Sequence, residues 1–213
     1  MSKERVLAFS DAVTAILITI MVLEVHIPEE ATLHALESIA PTLASYLLSF
    51  ILVGIYWNNH HHLYQAVERV SGNVLWANSH LLFWLSLIPF GMGWMGAHPF
   101  ARVPTACYGF VLLICSVAYE ILVRSLLTLH GKDSLLVEAI GDHVKGILSV
   151  VICLISVPVA FVLPWLADAL YVLIACMWFI PIRRIEKRIA DEAPAEEPDS
   201  TAPELVAGNG ETR

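Results

Sequence analysis

An apolar run from Arg5 to Ile27 is long enough to cross a lipid bilayer, yet it carries Arg5, the pair Ser10-Asp11 and the hydroxyls of Thr14 and Thr19. A spanning helix needs about 20 mostly apolar residues, and a charge placed inside one costs at least ~2.5 kcal/mol. The polar groups therefore demand partners on neighbouring helices or a water-filled path. A plain anchor would not carry them.

At 100° per residue, Ile20, Leu23 and Ile27 fall within about 40° of Ile16 and form one narrow apolar stripe. Thr19 sits at its edge, and Asp11 lies on the far side. Such a ladder is either a packing seam against another helix or a pore wall whose apolar constrictions gate by dewetting. Spacing leaves both open.

The rest of the chain is of the same kind. It has 213 residues, 57% of them hydrophobic, with a mean hydropathy of +0.69. This is the composition of an all-α integral membrane protein with no soluble second domain. The first run is not a cleavable signal peptide, because Asp11 interrupts its approach and His26-Ile27-Pro28-Glu29-Glu30 is no cleavage site. Apolar density marks six spanning segments, at 6–27, 38–66, 73–96, 103–129, 143–163 and 166–185. Pro28 stops the first. Pro89 and Pro158 fall within the third and fifth and are expected to kink them. Val137 to Lys145 reads as a short interfacial helical piece. Gly91, Gly93 and Gly96 read as one small-residue face for close helix contact.

Lys3, Arg5, Arg69, Arg124, Lys132, Lys145 and the basic cluster from Arg183 to Arg188 fall on one side of the bilayer, and Arg102 alone on the other. The expected protein is therefore a multi-pass protein of the cell membrane with both termini cytoplasmic. Beyond Ala190, seven acidic residues face Arg213 alone, so most of the net charge of −8 belongs to the tail. The expected division is a membrane domain over 1–189 and a disordered acidic cytoplasmic tail over 190–213. The acidity implies no cationic substrate, and nothing points to nucleic acid. Cys107, Cys115, Cys153 and Cys176 lie in apolar runs with no metal spacing and read as small buried hydrophobes.

That topology brings polar residues to one depth. Arg5, Ser10 and Asp11 begin the first segment, Asn59, His60, His61 and His62 end the second, and Trp76, Asn78 and His80 begin the third. In a low dielectric such groups must satisfy one another, and an ionised Asp11 calls for Arg5 or a histidine N–H. Three adjacent histidines point about 100° apart on a helix and cannot converge on one metal ion. A structural cluster and a cluster that also biases gating or senses pH both remain open.

The pattern Arg5-x-x-x-Phe9-Ser10-Asp11, continuing into Ala15-Ile16-x-Ile18-Thr19 and Val22-Leu23-Glu24, resembles the signature of the transmembrane protein 175 family, potassium channels of lysosomes and prokaryotes without a glycine-rich carbonyl filter. Tyr56-Trp57-x-Asn59-His60-His61, Leu75-Trp76-x-Asn78 and Leu87-Ile88-Pro89-Phe90 resemble its second- and third-helix motifs, although Gly91-Met92 stands where members often have Pro-Thr. The resemblance covers segments one to three and implies a homotetramer whose first helices line a central pore. It places Ile16 at the tightest constriction, Ile20 and Leu23 continuing it outward, and Thr19 as a pore-facing hydroxyl linked to selectivity. Arg5, Phe9, Ser10 and Asp11 would hold the helix in register through Trp57, His60, His61 and Asn78 without touching the ion. The expected function is a potassium-selective channel with permeant K+, no cofactor and no resident metal. The rival is a proton-coupled carrier or proton-permeable channel using the Asp/His cluster, which predicts a steep pH dependence of flux. No Ser-His-Asp arrangement, metal spacing or nucleotide loop supports an enzyme. A scaffold predicts no flux at all.

Overall fold

A computed structural model describes residues 2–130 and 143–179 of the chain, and all regular structure among them is helical. In chain order the helices are α1 (Lys3–Leu23), α2 (Leu33–Ser38), α3 (Ala40–Gln65), α4 (Gly72–Leu85), α5 (Ile88–Ala97), α6 (Arg102–His130), α7 (His143–Val162) and α8 (Pro164–Phe179). Lys3–Leu23, Ala40–Gln65, Gly72–Ala97, Arg102–His130 and Lys145–Val162 are long and apolar enough to cross a membrane. The expected sixth segment is α8, described from Pro164 to Phe179, and the remainder of that segment lies outside the described residues. The expected piece from Val137 lies mostly, and the acidic tail wholly, outside the described residues.

The boundaries follow from local chemistry. Helix α1 starts three residues earlier than expected and ends at Leu23, not Ile27. There the His26 ring takes the Glu24 carbonyl at 3.0 Å, which satisfies an otherwise orphaned acceptor and stops the helix well before Pro28. The short α2, which hydropathy does not announce, is capped by Thr32, whose hydroxyl accepts the Ala35 amide at 3.1 Å.

The third segment is not one kinked helix but two. Pro89 has no N–H for the Leu85 carbonyl, so α4 closes at Leu85 and α5 restarts with Pro89 in its first turn. The Ser86 hydroxyl donates to the Phe83 carbonyl at 2.6 Å in the break. Pro158, by contrast, stays inside α7.

Helix α6 packs against α4, α5, α7 and α8, while α1 leans on α3 and on the edges of α4 and α5. The core is closed by tyrosines whose hydroxyls are paired: Tyr108 with Ser49 at 2.8 Å, and Tyr171 donating to the Thr105 carbonyl at 3.0 Å. The α3–α4 loop is held at its base. Lys3 Nζ donates to the Val67 carbonyl at 2.8 Å, and His130 Nε2 accepts the amides of Glu68 and Arg69, each at 3.3 Å.

The three glycines of α5 do not share one face. Gly91 opens toward Tyr108 of α6, Gly93 toward Glu24 and Gly96 toward α3. A Cβ on Gly96 would lie 2.8 Å from the Thr42 Cα, a backbone atom that cannot step aside. Gly96→Ala is therefore expected to cost about 1–3 kcal/mol through overpacking, read as a lower unfolding midpoint in detergent. An unchanged midpoint would show that α3 and α5 separate freely.

Candidate functional site: the base and the open face of the first helix

One face of α1 is buried: Val6, Ser10, Thr14, Leu17 and Met21, spaced by four, four, three and four residues. The opposite face is open. Ile16 is 57% exposed, Ile20 40% and Leu23 77%, and Thr19 is exposed beside them. Among the described residues no helix packs over the stripe, although Ile16 and Ile20 border a groove shared with Phe90 and Trp94 of α5. The Thr19 hydroxyl donates to the Ile16 carbonyl at 2.8 Å, which leaves its oxygen free to accept.

At the base of α1 the polar residues form two networks. In the buried one, Ser10 Oγ donates to the Val6 carbonyl at 2.9 Å and accepts from Asn78 Nδ2 at 3.0 Å. Asn78 Oδ1 is then left to accept from His60 Nε2 at 2.7 Å. Since an amide oxygen only accepts, His60 carries its proton on Nε2. The Tyr64 ring stacks on His60 with centroids 4.6 Å apart. Thr14 Oγ1 adds a bond to the Ser10 carbonyl at 2.9 Å. Ser10, His60 and Asn78 are all buried.

The second network lies beside it and nearer the surface. Trp57 Nε1 donates to Asp11 Oδ1 at 2.9 Å. The same indole stacks on His61, one turn along α3, at 5.8 Å. His61 Nε2 accepts from Gln65 Nε2 at 2.9 Å, and its buried Nδ1 has no partner among the described residues. Ser10 and Asp11 are adjacent in sequence but about 100° apart on the helix, so one reaches α4 and the other α3.

The site residues expected from sequence are partly gathered. Ser10, His60 and Asn78 meet directly, and Asp11, Trp57 and His61 meet beside them. Arg5 is exposed and makes no side-chain bond to a described residue, so Asp11 takes an indole N–H instead of the expected Arg5 or histidine. Phe9 is 58% exposed. His80 stays out of the cluster and accepts from Trp84 Nε1 at 2.9 Å, and Trp76 is exposed. Tyr64 and Thr14 are members that the sequence reading missed. Thr14 was detectable four residues after Ser10 on the same stripe; Tyr64 has the same spacing from His60.

Comparison with known proteins bears on the same region. The family described as endosomal/lysosomal potassium channel TMEM175 matches residues 5–89, which run from α1 through α2, α3 and α4 to the start of α5. The chain is 46% identical over 191 residues to a protein named as a potassium channel in a Chryseobacterium species, covering 90% of this chain and all of that one. It is 27% identical over 222 residues to an endosomal/lysosomal proton channel TMEM175 of Danio rerio, covering 93% of this chain but 41% of that longer protein. Its fold superposes with a TM-score of 0.73 on the crystal structure of a lysosomal potassium-selective channel TMEM175 homolog from Chamaesiphon minutus, at 24% identity, covering 85% of this chain and 97% of the other.

Proposed function

This chain belongs to the TMEM175 family of ion channels, and from that membership we propose that it is a potassium-selective channel, a homotetramer of six-helix subunits in the cell membrane. The first helices line the axis, with Ile16, Ile20 and Leu23 as the apolar constriction and Thr19 as the ring of hydroxyls. Both termini face the cytoplasm, as the distribution of Lys and Arg requires.

The observation that carries this reading is the open face of α1. Its Val6, Ser10, Thr14, Leu17 and Met21 face is buried in the subunit, while the stripe of Ile16, Ile20 and Leu23 is exposed. One helix cannot enclose a pore, so symmetry supplies the other walls. Partly hydrated cations then pass the Thr19 hydroxyls, whose oxygens can accept, and the width at Ile16 sets whether water, and with it the ion, can enter. Phe9, Ser10, Asp11, Trp57, His60, His61 and Asn78 fix the rotation and height of α1 and do not touch the ion.

The proton-conducting reading draws support from animal relatives that are named proton channels. The geometry favours it less. Asp11 and His60 sit on separate hydrogen-bond networks, Asp11 faces an indole N–H that gives up no proton, and the chain from His60 ends on a backbone carbonyl.

Flux into liposomes holding purified protein separates the two. Potassium uptake is expected to exceed sodium uptake and to persist across pH. A flux carried by protons without potassium, and abolished by His60→Ala or Asp11→Asn, would overturn the assignment in favour of the rival.

A further inference from the structure

At the end of α6 a single imidazole accepts hydrogen bonds from a neighbouring loop. His130 Nδ1 lies 3.0 Å from the Leu126 carbonyl of its own helix. A carbonyl only accepts, so the ring proton sits on Nδ1 and Nε2 presents a lone pair. That lone pair takes the backbone amides of Glu68 and Arg69, each at 3.3 Å. The contact fixes the charge of the ring as well as its tautomer, because only a neutral imidazole accepts at Nε2.

The loop held in this way is the link between α3 and α4, residues 66–71. Its Val67 side chain is buried, and the Val67 carbonyl accepts from Lys3 of α1 at 2.8 Å. Imidazole and ammonium thus clasp the loop from two sides. It joins the helix that carries His60 to the helix that carries Asn78, so its hold bears on both partners of the buried relay. The ring is also within reach of water. Helix α6 has 29 residues and rises about 43 Å, against ~30 Å of hydrocarbon. Even with the surplus split evenly, its last turn stands clear of the apolar layer, and His130 is partly exposed there.

We propose that His130 is a pH-operated latch: the neutral ring holds the α3–α4 loop against the end of α6, and the protonated ring lets it go. With a proton on Nε2, three N–H groups face one another with no acceptor among them. An imidazole ordinarily takes that proton near pH 6.5, so the latch is closed above that range and open below it. The charges around the ring are Glu68 and Arg69 on the loop, Lys3 on α1, Glu120 and Arg124 on α6 and Lys145 in the first turn of α7. The last turns of α3 add His60, His61, His62 and Tyr64, and α4 brings no titratable group before His80. The Glu68 carboxylate attracts a charged ring, but it is exposed and follows the loop when the loop moves. The latch does not rest on the pore reading, so a failed flux assay leaves it standing.

The test is hydrogen–deuterium exchange of the full-length protein in lipid nanodiscs, read by mass spectrometry on peptides covering residues 66–71. Exchange is compared at about pH 8 and about pH 5, on either side of the imidazole range, with times corrected for the intrinsic rate. In the wild type, protection of the Glu68 and Arg69 amides is expected to fall about fivefold in acid, the effect of losing about 1 kcal/mol of hydrogen bonding. The Val67 amide, bonded to the Tyr64 carbonyl at 3.3 Å, keeps its protection. His130→Gln removes the titrating group, and its loop exchanges alike at both pH values. His130→Ala shows at about pH 8 the low protection that the wild type shows in acid. Equal protection of the wild-type loop at both pH values would overturn the proposal. So would an acid loss that survives His130→Gln, which would assign it to the histidines of α3, or a His130→Ala loop as protected as the wild type.

Discussion

Replacing Ile16 with asparagine is expected to raise potassium flux by about tenfold, the effect of lowering the barrier by about 1.4 kcal/mol, while replacing it with tryptophan abolishes flux. The side chain is 57% exposed and lies on the bare stripe, so neither change removes a core contact and both variants fold as the wild type does. At the proposed fourfold constriction an asparagine would place four amides where four butyl side chains would exclude water, and a wetted constriction passes ions. Four indoles leave no passage. Liposome flux at matched protein density reads both. Identical flux in wild type and both variants would make Ile16 a lipid- or protein-facing residue and move the axis off this stripe.

The second large effect lies at the base of α1. Asn78→Leu keeps the approximate volume but strips both ends of a buried relay. The His60 Nε2–H loses its acceptor, and Ser10 loses the amide that fills its lone pair. Leaving a buried donor unsatisfied costs about 1–3 kcal/mol, so Asn78→Leu is expected to lower stability in detergent by about 2 kcal/mol. Ser10→Ala costs less, because His60 keeps its bond to Asn78. The double variant falls short of the sum, since the two side chains share one interaction. His61→Ala, whose Gln65 partner is exposed, changes little. A melting curve for Asn78→Leu that overlays the wild type would show that the relay does not hold the helices together.

These outcomes probe different consequences of one placement. Ser10 turned inward to Asn78 fixes the rotation of α1, and that rotation is what leaves Ile16, Thr19, Ile20 and Leu23 bare. If the relay is cut, the stripe is free to turn, so Asn78→Leu is expected to alter flux as well as stability. His60→Ala, which keeps the Asn78–Ser10 bond, disturbs rotation less.

Much of this was present in the chain itself. Runs of apolar residues as long as a bilayer is thick admit only helices, and Pro28, Pro89 and Pro164 limit where those helices can lie. The alternation of basic and acidic loops sets which helix ends share a side, and so places Ser10, Asp11, Trp57, His60 and Asn78 at one depth. The motif from Arg5 to Asp11 named the family before any coordinate did. These are sums of single-residue preferences, additive along the sequence, and so legible one residue at a time.

What the chain alone left undecided was pairing. Asp11 could have met Arg5 or a histidine and meets Trp57. The third span could have bent at Pro89 and instead divides in two, with Ser86 closing the gap. Three glycines that looked like one seam open toward α6, toward Glu24 at the end of α1, and toward α3. Each outcome depends on how far helices are rotated and how closely they approach, as where Gly96 lets Thr42 come near. Those quantities are set by the mutual packing of side chains distant in sequence, and no single residue carries them. Hydropathy dictated that the first helix crosses a membrane; only its packing on α3, α4 and α5 decided which face it keeps and which it leaves open.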